Sequence, residues 1–150
     1  MKFKFPPILI FLAFGALMYL LASYLPFGHF DFFGRRYLTI GLCVLAISIG
    51  TIALIQFYVG KTTIDPNHPA KAKNLVENGI YAYTRNPMYL ALLLVLLAWG
   101  VWLANAFNIL LAAGFVTYMN RFQILSEEKA LTQIFGKDYK QYCLLVRRWF

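Results

Sequence analysis

Three stretches of the chain contain no Asp, Glu, Lys or Arg: Phe5 to Phe30, Tyr37 to Gly60 and Asn86 to Asn120. Polar and charged positions gather between them and at the two ends. Each apolar run is long enough to cross a hydrocarbon core of roughly 30 Å as a helix. The third has 35 residues, about 52 Å at ~1.5 Å per residue, too long for one crossing at ordinary tilt. Asn105 and Asn108 flank Ala106-Phe107 near its middle and supply polar turn residues. The pattern therefore predicts four spans, about 7–26, 37–59, 88–104 and 108–125, the last two forming a tight helical hairpin. A polar segment of 61–87 precedes the hairpin and a basic tail of 120–150 follows it.

Composition sharpens this picture. Of 150 residues, 61% are hydrophobic and 13% charged, against about 45–50% and about 25% in a soluble domain. A disordered chain, a disulfide-stapled secreted domain and an ordinary soluble globule are excluded, which leaves a small all-α integral membrane protein of one domain. The net charge of +8 is read as membrane topology rather than nucleic-acid binding. With the N-terminus in the cytoplasm, Lys2, Lys4, Lys61, Lys71, Lys73, Arg85, Arg121, Lys129, Lys137, Lys140, Arg147 and Arg148 lie inside and only Arg35 and Arg36 outside, as the positive-inside bias requires. Both termini then face the cytoplasm, most simply at a plasma (inner) membrane. The first run lacks an A-x-A-like end and reads as a retained anchor rather than a cleaved signal. Gly15, Gly41, Gly50, Gly100 and Gly114 read as helix-packing glycines. Cys43 in an apolar run and Cys143 in the basic tail have no metal-ligand spacing and predict no disulfide. His68 in its proline-flanked loop reads as solvated and His29 as interfacial.

Candidate chemistry sits on the side shared by the two polar segments. The first ends Asn78-Gly79-Ile80-Tyr81-Ala82-Tyr83-Thr84-Arg85-Asn86-Pro87-Met88-Tyr89-Leu90. Pro87 suits a first helical turn, Asn86 is a candidate N-cap, and the free amides of a helix N-terminus seat an anion. Arg85 adds a guanidinium fork. Read alone, the same residues equally describe a snorkelling arginine in a tyrosine belt. In the second segment Arg121 leaves an apolar helix, and Glu128 falls seven residues later on the same face of a regular helix. Alternatively Ser126 caps a fresh helix with Glu127 and Glu128 in its first turn. Leu131, Ile134 and Phe135 predict an amphipathic cytoplasmic tail helix lying along the membrane.

Together the two segments carry a specific signature: Gly-x-Tyr-x-Tyr-x-Arg-Asn-Pro-Met-Tyr-Leu, then about 35 residues on Glu-Glu-x-x-Leu-x-x-x-Phe-Gly-x-x-Tyr-x-x-Tyr-x-x-x-Val-x-Arg. This resembles the isoprenylcysteine carboxyl methyltransferase family, which is related to the phospholipid methyltransferases. The resemblance covers about residues 75–149; residues 1–60 match only as a pair of apolar helices. It implies an S-adenosylmethionine-dependent membrane methyltransferase, with S-adenosylhomocysteine as product and no metal. Carried over residue by residue, it assigns cofactor binding to Gly79, Tyr81, Tyr83, Arg85, Asn86, Pro87, Tyr89, Glu127, Glu128, Tyr139, Tyr142 and Arg147. Asn86 stands where many members have His, Ile80 where Pro is usual and Ala91 where Gly is usual.

A water-soluble, cationic methyl donor must arrive from the cytosol, while a lipophilic acceptor can enter laterally from the bilayer. Arg121 is the candidate for an anionic acceptor head group. Glu128 would orient it, or act as base toward an amine or thiol acceptor; a carboxylate acceptor needs only alignment. Two other classes remain open at this stage: a membrane reductase of related architecture using NADPH, and a non-enzymatic subunit whose basic tail binds anionic lipid or a partner.

Overall fold

The computed structural model describes residues 5–60 and 75–150. The expectations for Lys2, Lys4, Lys61, Lys71, Lys73 and His68 lie outside the described residues. Helix α1 (Pro7–Tyr24) begins on a proline in its first turn, where a missing N–H costs no bond. Helix α2 (Arg35–Val59) begins after Gly34, whose left-handed φ of 97° turns the chain. Helix α3 (Pro87–Trp102) and helix α4 (Asn108–Tyr118) form the hairpin. Six residues of π-helix, Met119–Ile124, then lead into α5 (Leu125–Phe135) and α6 (Lys137–Leu145).

The helices fall within a few residues of the spans read from the sequence, yet length separates them. Of the four expected crossings, α1 and α2 are long and apolar enough to span a bilayer, while α3 is apolar but only 16 residues long. The 11 residues of α4 continue into the π segment rather than ending there.

Two packing layers hold the bundle. Met18 of α1, Leu93 and Leu96 of α3, and Ala112 and Phe115 of α4 form the main core together with Met119 and Ile124 of the π segment. Phe14 meets Phe115 edge-on with centroids 5.8 Å apart. The indole of Trp99 donates to the Gly15 carbonyl (3.1 Å), joining α3 to α1. On the other flank α2 lies against α3 through small residues: a methyl placed on Gly50 would stand 3.4 Å from the Ala91 methyl. Close backbone approach through small residues is how helices associate in lipid. Gly15, Gly50, Gly100 and Gly114 all face neighbours in this way, whereas Gly41 has nothing within 4 Å and is no packing glycine.

At the end away from the tail, the α1–α2 loop clasps the hairpin turn. Phe30 N–H donates to Ala104 O (3.0 Å), Ala106 N–H to Gly28 O (2.8 Å) and the Asn105 amide to Phe27 O (3.1 Å). Asn105 also accepts the Phe107 N–H (3.0 Å), an Asx turn that fits the polar turn read from the sequence. Asn108 departs from that reading. It opens α4 and is buried, with neither side-chain polar atom bonded among the described residues. Arg35 pairs with Asp31 (3.1 Å) and donates to Trp102 O (3.1 Å), placing a cation on the C-terminal end of α3.

Gly28 combines a φ of 84° with a Phe107 ring that a Cβ would strike. Gly28→Ala is therefore expected to cost about 1–3 kcal/mol. Gly41→Ala, in open space within α2, is expected to be neutral or stabilising by up to about 1 kcal/mol. Thermal unfolding of the detergent-solubilised variants checks both.

Candidate active site

Four pieces of chain converge at the tail end of the bundle. The first is the approach to α3. A single 3-10 turn, Gly79–Ala82, is fixed by Gln56 of α2, whose side-chain Oε1 accepts the Ile80 N–H (3.1 Å). Gly79, at φ 63°, is required here because a Cβ would collide with the same glutamine side chain. Tyr81 is buried and meets Phe57 edge-on at 5.2 Å.

The second is the start of α3. Asn86 occupies the N-cap position but makes no side-chain capping bond. Its amide instead donates to Arg148 O (3.0 Å), and its N–H goes to the Thr84 hydroxyl (3.2 Å). The expected Asn86 cap is thus corrected: the side chain is drawn away by the carbonyl of a distant strap.

The third piece is the π segment with α5. A π turn holds about one residue more than an α turn, so a face counted seven residues along a regular helix does not carry through it. Arg121 is exposed, with its guanidinium 5.9 Å from the Phe122 ring, and Glu128 turns elsewhere. The predicted shared face of Arg121 and Glu128 is not formed. Ser126 does not cap a fresh helix either, since it lies inside the continuing helix and donates to Gln123 O (2.8 Å).

The fourth piece is the tail. Gly136, at φ 53°, breaks it into α5 and α6. Leu131 and Phe135 fold against Tyr139, Tyr142 and Val146. The single helix expected from Leu131, Ile134 and Phe135 is broken into a helical pair that packs through Leu131, Phe135, Tyr139 and Tyr142, while Ile134, Leu144 and Leu145 stay exposed. Past α6, Val146 adopts extended backbone and starts a terminal strap. Arg85 N–H donates to Arg147 O (2.9 Å), and the buried Thr84 hydroxyl to Arg148 O (3.1 Å). The Trp149 indole donates to Asn120 (3.0 Å).

At the centre lies Glu128. Arg148 grips it with two parallel bonds of 2.8 Å, from Nε to Oε1 and from Nη2 to Oε2. Arg85 Nη1 lies 3.0 Å from Oε1 and also donates to Cys143 Sγ (2.6 Å). Beside this cluster Glu127 Oε1 accepts the Tyr89 hydroxyl (2.5 Å) and the Gln123 amide (2.8 Å). The Tyr142 hydroxyl donates to Tyr81 O (2.6 Å), tying α6 to the approach of α3. In this region two buried polar groups lack a hydrogen-bond partner among the described residues: Tyr81 OH and Arg85 Nε. Burial pushes the phenols of Tyr81, Tyr139 and Tyr142 up. The hydrogen bonds to Glu128 push Arg148 up.

A carboxylate between two guanidiniums at a helix start, bordered by phenols, is chemistry for gripping a small charged molecule. The profile of the phospholipid methyltransferase family matches residues 31–138. The chain belongs to the phospholipid methyltransferase family. Its members are membrane methyltransferases that use S-adenosylmethionine. An uncharacterised protein of Haemophilus influenzae is 48% identical over 62 residues, which is 41% of this chain and 98% of that protein. No solved structure matches the chain.

In this phospholipid methyltransferase family member, Tyr81, Arg85, Asn86, Pro87, Tyr89, Glu127, Glu128, Tyr139 and Tyr142 are brought into one region by the contacts above. Arg121, exposed beside Phe122, is not, nor are three of the cofactor positions. Gly79 serves the Gln56 contact, Tyr83 is 78% exposed, and the Arg147 side chain is exposed while only its carbonyl joins the site. Arg148, Thr84 and Gln123 were missed. The signal for Arg148 was present: the signature ends Val-x-Arg, and the arginine two after Val146 is Arg148.

The phenols supply a pH test. Their folded-state values are raised above about 10 for an unfolded chain. Their neutral forms thus favour the fold fully below pH 10, and the contribution is lost as pH rises through the raised values. Phenolate absorbance is expected to show Tyr81, Tyr139 and Tyr142 titrating late, together with alkaline unfolding. Tyr→Phe variants at these positions should remove that late phase.

Proposed function

We propose that this chain is an S-adenosylmethionine-dependent methyltransferase of the cytoplasmic face of the inner membrane. It would transfer methyl to a lipophilic or small acceptor bearing a carboxylate, amine or thiol. In this reading all four apolar segments are membrane-embedded, the two shorter ones within the bundle, and both termini face the cytoplasm. Residues 75–149 form the donor-binding part and residues 1–60 the supporting helices.

The observation that carries the reading is the Arg85–Glu128–Arg148 cluster at the start of α3, in a chain of a methyltransferase family. The donor is a zwitterion with an added sulfonium charge. Carboxylate and aromatic faces suit its cations, and guanidinium suits its carboxylate. Both oxygens of Glu128 already accept guanidinium bonds, which fits binding better than proton abstraction. With Asn86 unable to act as a base, the acceptor best suited is one that needs alignment rather than deprotonation. Arg121, exposed beside Phe122, is the group proposed to meet an anionic head group.

Calorimetry in detergent with S-adenosylhomocysteine is expected to show binding in the micromolar range. Arg85→Ala and Glu128→Ala should each weaken donor binding or turnover at least tenfold in chains that still fold, while Cys43→Ser on α2 leaves both unchanged. Wild-type turnover in both site variants would overturn the assignment. Binding of NADPH instead would favour a reductase. If neither ligand binds, and liposome flotation depends on Lys137, Lys140, Arg147 and Arg148, a lipid-binding subunit is the better account. Incubation with labelled S-adenosylmethionine and a membrane lipid extract identifies the acceptor.

A further inference from the structure

Helix α6 hides one face and leaves the other bare. Tyr139, Tyr142 and Val146 are buried against Leu75, Leu131 and Phe135. Away from that face, Leu144 and Leu145 are 87% and 78% exposed, and Phe150 at the chain end is 81% exposed. Lys137 and Lys140 precede Leu144 by seven and four residues, on the same side of the helix. Both lysines and Arg147 are exposed, and Asp138 is the single acid between residues 137 and 150. Bare leucines and a phenylalanine are therefore interleaved with a net positive charge.

The depth of this patch follows from α2. That helix has 25 residues, about 37 Å at ~1.5 Å per residue, longer than a hydrocarbon core of roughly 30 Å. Its last turn then lies in the headgroup layer. Phe57 of that turn meets Tyr81, and the Tyr142 hydroxyl of α6 donates to the Tyr81 carbonyl. Helix α6 is thus tied to the level of the membrane boundary. An apolar edge fringed with cations suits that layer, where leucines enter the acyl boundary and ammonium groups meet lipid phosphates. Other covers match poorly in charge. Residues 61–74 carry three lysines, one aspartate and one isoleucine, and a second copy presenting the same patch would set cation against cation.

We propose that Leu144, Leu145 and Phe150, with Lys137, Lys140 and Arg147, form a docking surface for anionic lipid in the leaflet at the tail end of the bundle. The surface differs from the tail helix read in the sequence, because Leu131 and Phe135 pack inward and α6 with the chain end carries the contact. It uses the membrane setting of α2 and does not depend on methyl transfer.

The test reconstitutes the full-length protein in phosphatidylcholine vesicles, with and without phosphatidylglycerol, and irradiates a lipid-dissolved diazirine probe. Carbene adducts at Leu144 and Leu145 are located by tandem mass spectrometry and scaled to those at Ile47, an exposed residue in the middle of α2. Adducts are expected in both vesicles, at least threefold more with phosphatidylglycerol. The double variant Lys137→Gln/Lys140→Gln should lose that increase and keep the level seen in phosphatidylcholine alone, with labelling at Ile47 unchanged as the sign of normal insertion. High salt should abolish the increase in wild type as well, which keeps the test open if the double variant does not insert. No adducts at Leu144 and Leu145 in either vesicle overturns the proposal. An increase that survives high salt, or a level indifferent to phosphatidylglycerol, overturns it too. Absent adducts together with cross-links from Lys140 of one chain to Lys140 of another put a second copy on the patch, with the same consequence. No donor or acceptor is present in these measurements, so their failure leaves the methyltransferase reading standing.

Discussion

A single carboxylate between two guanidiniums is the constraint on which this end of the molecule depends. Glu128 is mostly withdrawn from water, at 17% side-chain exposure. A charge in that setting is tolerable only when paired and hydrogen-bonded. Its partners come from places far apart in sequence: Arg85 just before α3 and Arg148 in the terminal strap. Satisfying the one carboxylate closes the approach to α3, the head of α5 and the chain end onto each other. Removing either partner leaves a buried charge short of compensation, which is costlier than never having built the pair. The apolar cluster of Tyr139, Tyr142 and Val146 shields the other side.

The π segment makes that closure possible. Inside a membrane bundle the backbone must remain hydrogen-bonded, so a helix cannot simply stop and restart in another direction. Inserting a π turn changes the facing of everything downstream while the main-chain bonds continue. Upstream, Phe115 and Met119 point into the bundle core. Downstream, Gln123 and Glu127 meet Tyr89, and Glu128 meets the arginines. Asn120, within the segment, receives the Trp149 indole that anchors the strap.

The helices were legible because their limits are written in local chemistry. Pro7 and Pro87 open helices, Gly34 turns the chain, and Asn105 makes the hairpin turn. The choice of Arg85, Tyr89 and the glutamate pair was legible from residue type and order. What was lost concerned facing. Counting seven residues from Arg121 to Glu128 assumes a regular helix, and no residue in Met119–Ile124 announces the extra one. In the strap, successive side chains of extended backbone alternate in direction, so placing the anchor at Arg147 instead of Arg148 reverses inside and outside. Gln123 and Thr84 carry no charge, and their roles exist only once Glu127 and the Arg148 carbonyl are beside them.

The departures from the resembled family's pattern also acquire physical reasons. Proline at position 80 would lack the N–H that Ile80 gives to Gln56. Ala91 presents its methyl to Gly50, so the small residue missing from α3 is supplied by α2. Asn86 is the most informative case. Position 86 must give a hydrogen bond to the carbonyl of Arg148, and an asparagine amide or an imidazole N–H supplies one equally. The exchange therefore preserves the strap while removing a titratable group from the helix start. In this chain the position-86 amide holds the Arg148 carbonyl, and with it the strap whose guanidinium meets Glu128.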